Sequence, residues 1–96
     1  MTGRRYGSVW DALEDTPEEA ANMRLRAELL RQIQALIREL GITQSEAAQR
    51  AGITQPRISD AMRGHVDKFT LDALVNILGA LGKRIEVNLV DTAAVA

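Results

Sequence analysis

Two absences limit the chemistry that this chain can perform. Its 96 residues contain no cysteine, only one histidine and no glycine-rich phosphate-binding loop. Without cysteine there are no disulfide bonds, thiolate metal sites or cysteine nucleophiles, and one histidine leaves little material to activate a serine or threonine nucleophile. We therefore expect a protein that is not an enzyme and that holds neither a metal ion nor a cofactor.

Aromatic residues and long apolar runs are also scarce. Phe, Trp and Tyr make up 3% of the chain, so a core has to be built from Leu, Ile, Val and Ala. No apolar run approaches the roughly 20 residues that are needed to cross a bilayer. Residues 1–15 turn acidic where a signal peptide would need its apolar stretch. These features predict a soluble, cytoplasmic protein that does not bind a membrane.

The remaining composition suits one compact helical domain. The length allows a single core, and 46% hydrophobic with 26% charged residues is a mixture typical of folded proteins. The net charge is −1, but residues 1–22 carry two basic and five acidic side chains, whereas residues 23–42 carry four basic and two acidic ones. This asymmetry indicates two surfaces with different partners.

Capping residues and apolar spacing predict a long first helix. Thr16 and Pro17 are typical of a helix start, and Gly41 is typical of a helix end. Apolar residues recur along this segment at steps of three and four, namely Leu29, Leu30, Ile33, Leu36, Ile37 and Leu40. The opposite face, which we expect to be solvated, carries Arg24, Arg31, Gln34 and Arg38.

The last helix and a short strand follow later in the chain. The helix is predicted to begin after Thr70, and its expected buried face consists of Leu71, Leu74, Val75, Leu78 and Leu81. From residue 83 to 90 the period changes to two, because Ile85, Val87 and Leu89 alternate with polar residues, as on a half-buried strand. One strand cannot satisfy its own backbone, so it pairs either with residues 5–9 or with the same strand of a second subunit.

The segment most informative about function lies between these elements. Residues 44–51 and 55–63 are predicted to form two short helices joined by a tight turn at Gly52, with Thr43 and Glu46 forming a capping box before the first helix. Small side chains allow the helices to cross closely, and these are Ala47, Ala48 and Ala51. The side chains expected to face inward are Ile53, Ile58, Ala61 and Met62.

The outward face of the second short helix carries hydrogen-bond donors and acceptors in its first turns, the part that enters a major groove when such a unit docks on DNA. The candidate DNA-contacting residues are Gln44, Thr54, Gln55, Pro56, Arg57, Ser59, Asp60, Arg63, Arg38 and Lys68. We expect Gln55 and Arg57 to read bases, and Arg38 and Lys68 to contact phosphates. Asp60 either accepts from a cytosine amino group or orients Arg57 or Arg63. His65 is expected to be an exposed loop residue.

The residues of this segment resemble the Xre family, the helix-turn-helix domains of Cro and phage-repressor type. The matching positions are Gln44, Ala48, Gly52, Ile53, Ile58 and Gly64, within the string GITQSEAAQRAGITQPRISDAMRG. The resemblance spans about residues 29–81. It implies an all-α, lambda-repressor-like domain of four or five helices, here followed by the short C-terminal β-strand. The simpler alternative is an ordinary helical hairpin within an all-helical domain.

A narrower resemblance extends beyond the motif. The strings LRAELLRQI, QPRISDAMRG and FTLDALVNILGALGKRIEV are similar to the HigA-type antitoxins, small Xre proteins encoded beside RelE-like or HigB-like toxins. This resemblance implies a homodimer that binds a double-stranded DNA operator, represses its own operon and neutralises an RNA-cleaving toxin as the antitoxin of a type II pair. The alternatives are a stand-alone Xre regulator and a protein-interaction module that does not bind DNA.

The chain before about residue 20 matches this family least, yet it holds two of the three aromatic residues. Aromatic anchors among carboxylates suit the basic cleft of an RNA-cleaving toxin, and the candidate partner-binding residues are Trp10, Leu13, Asp11, Glu14 and Asp15. Alternatively, Trp10 and Leu13 fold back on the long helix. The predicted organisation is an acidic partner-binding arm at 1–22, a DNA-binding domain at 23–82 with its motif at 43–64, and a dimerisation strand with a tail at 83–96.

Overall fold

The structure, a computed structural model, describes residues 16–92 of the chain. Four α-helices form within this range, and they are α1 (Pro17–Leu40), α2 (Gln44–Ala51), α3 (Gln55–Met62) and α4 (Leu71–Ala80). One turn of 3-10 helix, Val66–Lys68, lies between α3 and α4. The all-helical architecture expected from the sequence is confirmed. The residues predicted to bind a partner protein, from Trp10 to Asp15, lie outside the described residues.

Each of the four α-helices among residues 16–92 follows a threonine N-cap, which makes the same local interaction in each case. The side chain of each threonine accepts a hydrogen bond from the backbone N–H three residues later, and these caps are Thr16, Thr43, Thr54 and Thr70. Such a cap satisfies a backbone donor that has no partner inside the helix and contributes about 1 kcal/mol. At Thr43 the carboxylate of Glu46 accepts in return from the threonine N–H, so the predicted capping box is confirmed.

The core lies where α1 crosses the other helices. Helix α1 packs against α4, against α3 and against the 3-10 turn, while α2 contacts both α3 and α4. The buried side chains are Leu30, Ile33, Leu36, Ile37, Ala47, Ala48, Ile58, Ala61, Phe69, Leu74, Ile77, Leu78 and Leu81. Since this core holds α2 and α3 together against α1, it fixes the position of the exposed face of α3.

Two of the predicted core positions are wrong. Val75 is 44% exposed, and the buried stripe of α4 runs instead through Leu74, Ile77, Leu78 and Leu81. That spacing of three, one and three residues follows one helical face, from which Val75 is rotated away. Leu40 is 42% exposed, because α1 is about 36 Å long and its last residue lies beyond the main contact with the shorter α4.

The prediction that Gln34 lies on the solvated face of α1 is also wrong. Its side chain is half-buried, and Nε2 donates to the carbonyl oxygens of Ala61 at 2.8 Å and Met62 at 3.3 Å. These carbonyls belong to the last turn of α3, where the regular helical hydrogen bonds end; the Ala61 carbonyl also accepts from the backbone N–H of Gly64 at 3.1 Å. Gln34 therefore caps the end of α3 from α1.

The predicted strand at 83–90 is not formed within the single chain. Residues 83–92 have no regular secondary structure, and no β-strand is present among residues 16–92 to pair with them. Ile85 lies beside a groove between α1 and α4, whereas Val87 and Leu89 are 81% and 90% exposed. A strand requires a neighbouring backbone, and residues 16–92 do not supply one. Residues 5–9, the partner considered within the same chain, lie outside the described residues. Within the described part of the chain, no helix is long and apolar enough to cross a membrane.

Candidate nucleic-acid interface

Helices α2 and α3 cross closely because the side chains between them are small. Ala47 of α2 and Ala61 of α3 are both 0% exposed, and Ile58 fills the space beside them. Gly52 ends α2 with φ of 70°, a left-handed conformation that glycine adopts without strain. Two residues later Thr54 begins α3. The result is a rigid helix-turn-helix unit.

The exposed sides of α2 and α3 share one shallow depression. Its volume is about 420 Å³, and it is lined by Gln44, Gln55, Pro56, Ser59, Asp60 and Arg63. The structure thus brings together six of the ten residues that the sequence predicts to contact DNA. All but Pro56 are polar, and Gln44, Gln55 and Pro56 lie on the first turns of α2 and α3, where helix N-termini also present backbone N–H groups.

Arg57 does not line this depression. Its guanidinium Cζ is 4.6 Å from the centroid of the Phe69 ring, and its Nη1 donates to the carbonyl oxygen of Lys68 at 3.1 Å. Both contacts are made to the segment that follows α3. The side chain predicted to read bases is therefore held by its own chain.

Asp60 lies among three basic side chains. Its carboxylate is 3.3 Å from Nη2 of Arg63, 3.4 Å from Nδ1 of His65 and 3.7 Å from Nζ of Lys68. Burial raises the pKa of Asp60, but Lys68, the hydrogen bond from Arg63 and nearby His65 together shift this pKa below its usual value. Of the two roles considered for Asp60, the structure therefore favours the orientation of Arg63, with no contact to Arg57.

The remaining predicted residues are placed as follows. Thr54 is the N-cap of α3, and Arg38 is exposed in the last turn of α1, outside the depression. The Lys68 side chain is half-exposed beside Asp60. His65 is half-buried rather than fully exposed, which corrects the expectation for it.

Two residues that the sequence did not identify help to position α3 and the segment after it. Gln34 and Arg26 both act from α1, since Arg26 donates to the carbonyl oxygen of Phe69 at 3.2 Å. Phe69 is the only phenylalanine of the chain and is 1% exposed. A single large aromatic residue directly before the Thr70 cap was the available signal for this contact.

Comparison with known proteins agrees with this geometry. A family described as a helix-turn-helix domain matches residues 12–89. The chain belongs to this helix-turn-helix family. An uncharacterised HTH-type transcriptional regulator of Haemophilus influenzae is 29% identical over 84 residues, which cover 84% of this chain and 85% of the relative.

A solved structure also resembles this helix-turn-helix protein. It is named as an XRE family transcriptional regulator, and it superposes with a TM-score of 0.71 at 25% identity, covering 78% of this chain and 84% of the other. Both similar proteins are named as transcriptional regulators, so the Xre-type helix-turn-helix assignment made from the sequence is confirmed. In such a unit α3 is the recognition helix and α2 is the helix that supports it.

Proposed function

We propose that this helix-turn-helix protein is a sequence-specific transcriptional repressor that inserts α3 into the major groove of an operator. The observation that carries the proposal is the depression between α2 and α3, whose polar side chains include Gln44, Gln55 and Ser59. Amide and hydroxyl groups can donate to and accept from base edges, and Gln reads adenine with two hydrogen bonds. The proposed setting is the cytoplasm.

Gln55→Ala tests whether the first turn of α3 reads bases. We expect the variant to lose on the order of 1 to 3 kcal/mol in operator affinity and little affinity for random DNA, because only a base contact discriminates between sequences. The operator is obtained by selecting duplexes from a randomised library with the unmodified protein. Affinities are then measured by fluorescence anisotropy at two salt concentrations.

Arg38→Ala is the matched control for this experiment. As a phosphate contact, Arg38 should contribute equally to the binding of operator DNA and of random DNA. Its loss should therefore lower both affinities by a similar factor. If Gln55→Ala also weakened both DNAs equally, Gln55 would be a phosphate contact and the base-reading role would be refuted.

The proposed repressor acts as a homodimer. One unit covers only a few base pairs, and two-fold dimers bind half-sites that lie about 34 to 36 Å apart. The C-terminal segment of this chain, residues 83–90, is the proposed dimerisation element through Ile85, Val87 and Leu89. The exposure of Val87, Leu89 and Val90 close together in the chain supports this assignment, since apolar side chains exposed as a contiguous group mark interaction sites.

The biological setting that we propose is that of a HigA-type antitoxin. Residues 1–22 form the partner-binding arm in this proposal, and residues 23–82 bind DNA. The resemblance of three sequence strings to that family supports the setting, and so does the excess of acidic over basic residues in the arm. An acidic surface is poorly suited to DNA but complements an RNA-cleaving toxin.

Trp10→Ala tests this role of the arm. We expect a loss of roughly 2 kcal/mol or more in affinity for the RelE-like or HigB-like product of the adjacent reading frame, because buried aromatic anchors dominate such interfaces. Operator affinity and thermal unfolding serve as controls and should stay unchanged. A variant that binds the toxin normally, or that unfolds, would assign Trp10 to the core instead.

A further inference from the structure

Phe69 connects three parts of the molecule. Its ring is buried in the core, and its carbonyl oxygen accepts a hydrogen bond from Nη1 of Arg26 on α1. The Arg57 guanidinium of α3 lies over the ring at 4.6 Å. Because the Phe69 position is fixed by the core and by Arg26, it provides α3 with a fixed point of attachment.

Arg57 makes a second contact beside the first. Its Nη1 donates to the Lys68 carbonyl oxygen at 3.1 Å, and Lys68 belongs to the 3-10 turn. A guanidinium group can donate in its plane while its face stacks on an aromatic ring, which a lysine ammonium cannot do. The two contacts together define both the position and the orientation of this side chain.

Asp60, one helical turn after Arg57 on α3, also contacts the 3-10 turn. Its Oδ2 is 3.7 Å from Nζ of Lys68, and residues 57 and 60 are neighbours on a helix surface. Asp60 and Arg57 therefore hold Lys68 by its side chain and by its carbonyl group. Arg57 does not line the depression that contains Gln55 and Ser59. Asp60 itself lines the depression, so Arg57 makes its contacts on the face of α3 that adjoins it.

We propose that Arg57 is a positioning residue, which holds α3 against Phe69 and the 3-10 turn so that Gln55 and Ser59 can reach base edges. Arg57 does not itself read a base, in contrast to the expectation from the sequence. This inference rests on the proposed DNA-binding function. A base contact by Arg57 would first have to break both its stacking on Phe69 and its hydrogen bond to Lys68.

Binding-site selection with the full chain tests the inference. A variant that has lost a base reader selects sites without a preference at one position. A variant whose α3 is correctly placed for only part of the time keeps the same consensus and binds it more weakly, because fewer molecules are competent to bind. We expect Arg57→Ala to select the unchanged consensus with an affinity reduced about tenfold. Gln55→Ala should lose the preference at one position. Loss of one position by Arg57→Ala would refute the inference.

Arg57→Lys and Phe69→Leu complete the test. If Arg57 contacted a phosphate, Arg57→Lys would keep the charge and restore operator affinity. A positioning role requires the planar guanidinium, so Arg57→Lys should lose as much operator affinity as Arg57→Ala. Combining Arg57→Ala with Phe69→Leu should weaken operator binding no more than the larger single effect, since both substitutions remove the same stacking contact. Additive losses, rescue by lysine, or a fall in melting temperature with unchanged operator affinity would each overturn the inference. If the unmodified protein selected no consensus, the proposed DNA-binding function itself would fail.

Discussion

A chain that ends at Gly82 is expected to be a monomer and to bind the operator at least about 100-fold more weakly than the full chain. In a dimer the second half-site is bound intramolecularly, and this effective concentration raises affinity by roughly 10² to 10⁴. Removing residues 83–96 deletes the exposed apolar side chains of the C-terminal segment while leaving the helix-turn-helix core intact.

The sequence of this segment favours one particular pairing. In an antiparallel ribbon with its two-fold axis at Val87, Ile85 lies opposite Leu89, and six apolar side chains share one face. With the axis at Glu86, two carboxylates would lie opposite each other, which is destabilising. Pairing at Val87 would complete the predicted strand and cover the side chains of Val87 and Leu89, which are exposed in the single chain.

Sedimentation measures the oligomeric state of the truncated chain, and anisotropy measures its operator affinity. Circular dichroism checks that the shortened chain is folded.

The absence of cysteine from the sequence allows a direct test of the pairing. Val87→Cys should form a disulfide between subunits on oxidation, because residue 87 lies opposite itself in this pairing. Glu86→Cys should not, because residue 86 lies opposite Asn88 of the other subunit. A truncated chain that remains dimeric would place the interface on the helices instead.

Replacing Ile58 by Ala is expected to lower the free energy of unfolding by about 2 to 5 kcal/mol, a large share of the roughly 5 to 15 kcal/mol typical of a domain. Ile58 is 0% exposed and lies between Ala47, Ala61 and α1. Truncation leaves a cavity in addition to the lost burial. The neighbouring small side chains cannot fill this cavity because they belong to rigid helices.

Ile53→Ala is the matched control for this substitution. Ile53 has the same side chain but is only partly buried, at the turn before α3. Its loss should be clearly smaller. Urea unfolding measures both variants, and an unchanged slope with a shifted midpoint shows that the native state alone has lost stability. Equal losses would contradict the placement of Ile58 at the centre of the helix-turn-helix packing.

The features that the sequence predicted correctly depend on local interactions. The caps at Thr16, Thr43, Thr54 and Thr70 act over three residues, so their signal is contiguous in the chain. The close crossing of α2 and α3 was also predictable, because small residues at Ala47 and Ala61 leave few other arrangements.

The features that were missed depend on distant partners. Gln34 contacts Ala61, which is 27 residues away, and Arg26 contacts Phe69, which is 43 residues away. Polar spacing on a helix shows that such residues are off the apolar stripe, but it does not show which backbone carbonyl comes near them. For the same reason the sequence treated Arg57 as free to contact DNA.

The position of Asp60 among basic side chains has a consequence for the search along a chromosome. Arg63 and Lys68 already have an internal counterion, so a DNA phosphate that approaches them must compete with this carboxylate. If the protein binds DNA as proposed, fewer condensed cations are released when it binds arbitrary sequence, and we expect its non-specific binding to be weak and weakly salt-dependent. The proposed repressor then spends more of its time free to find an operator.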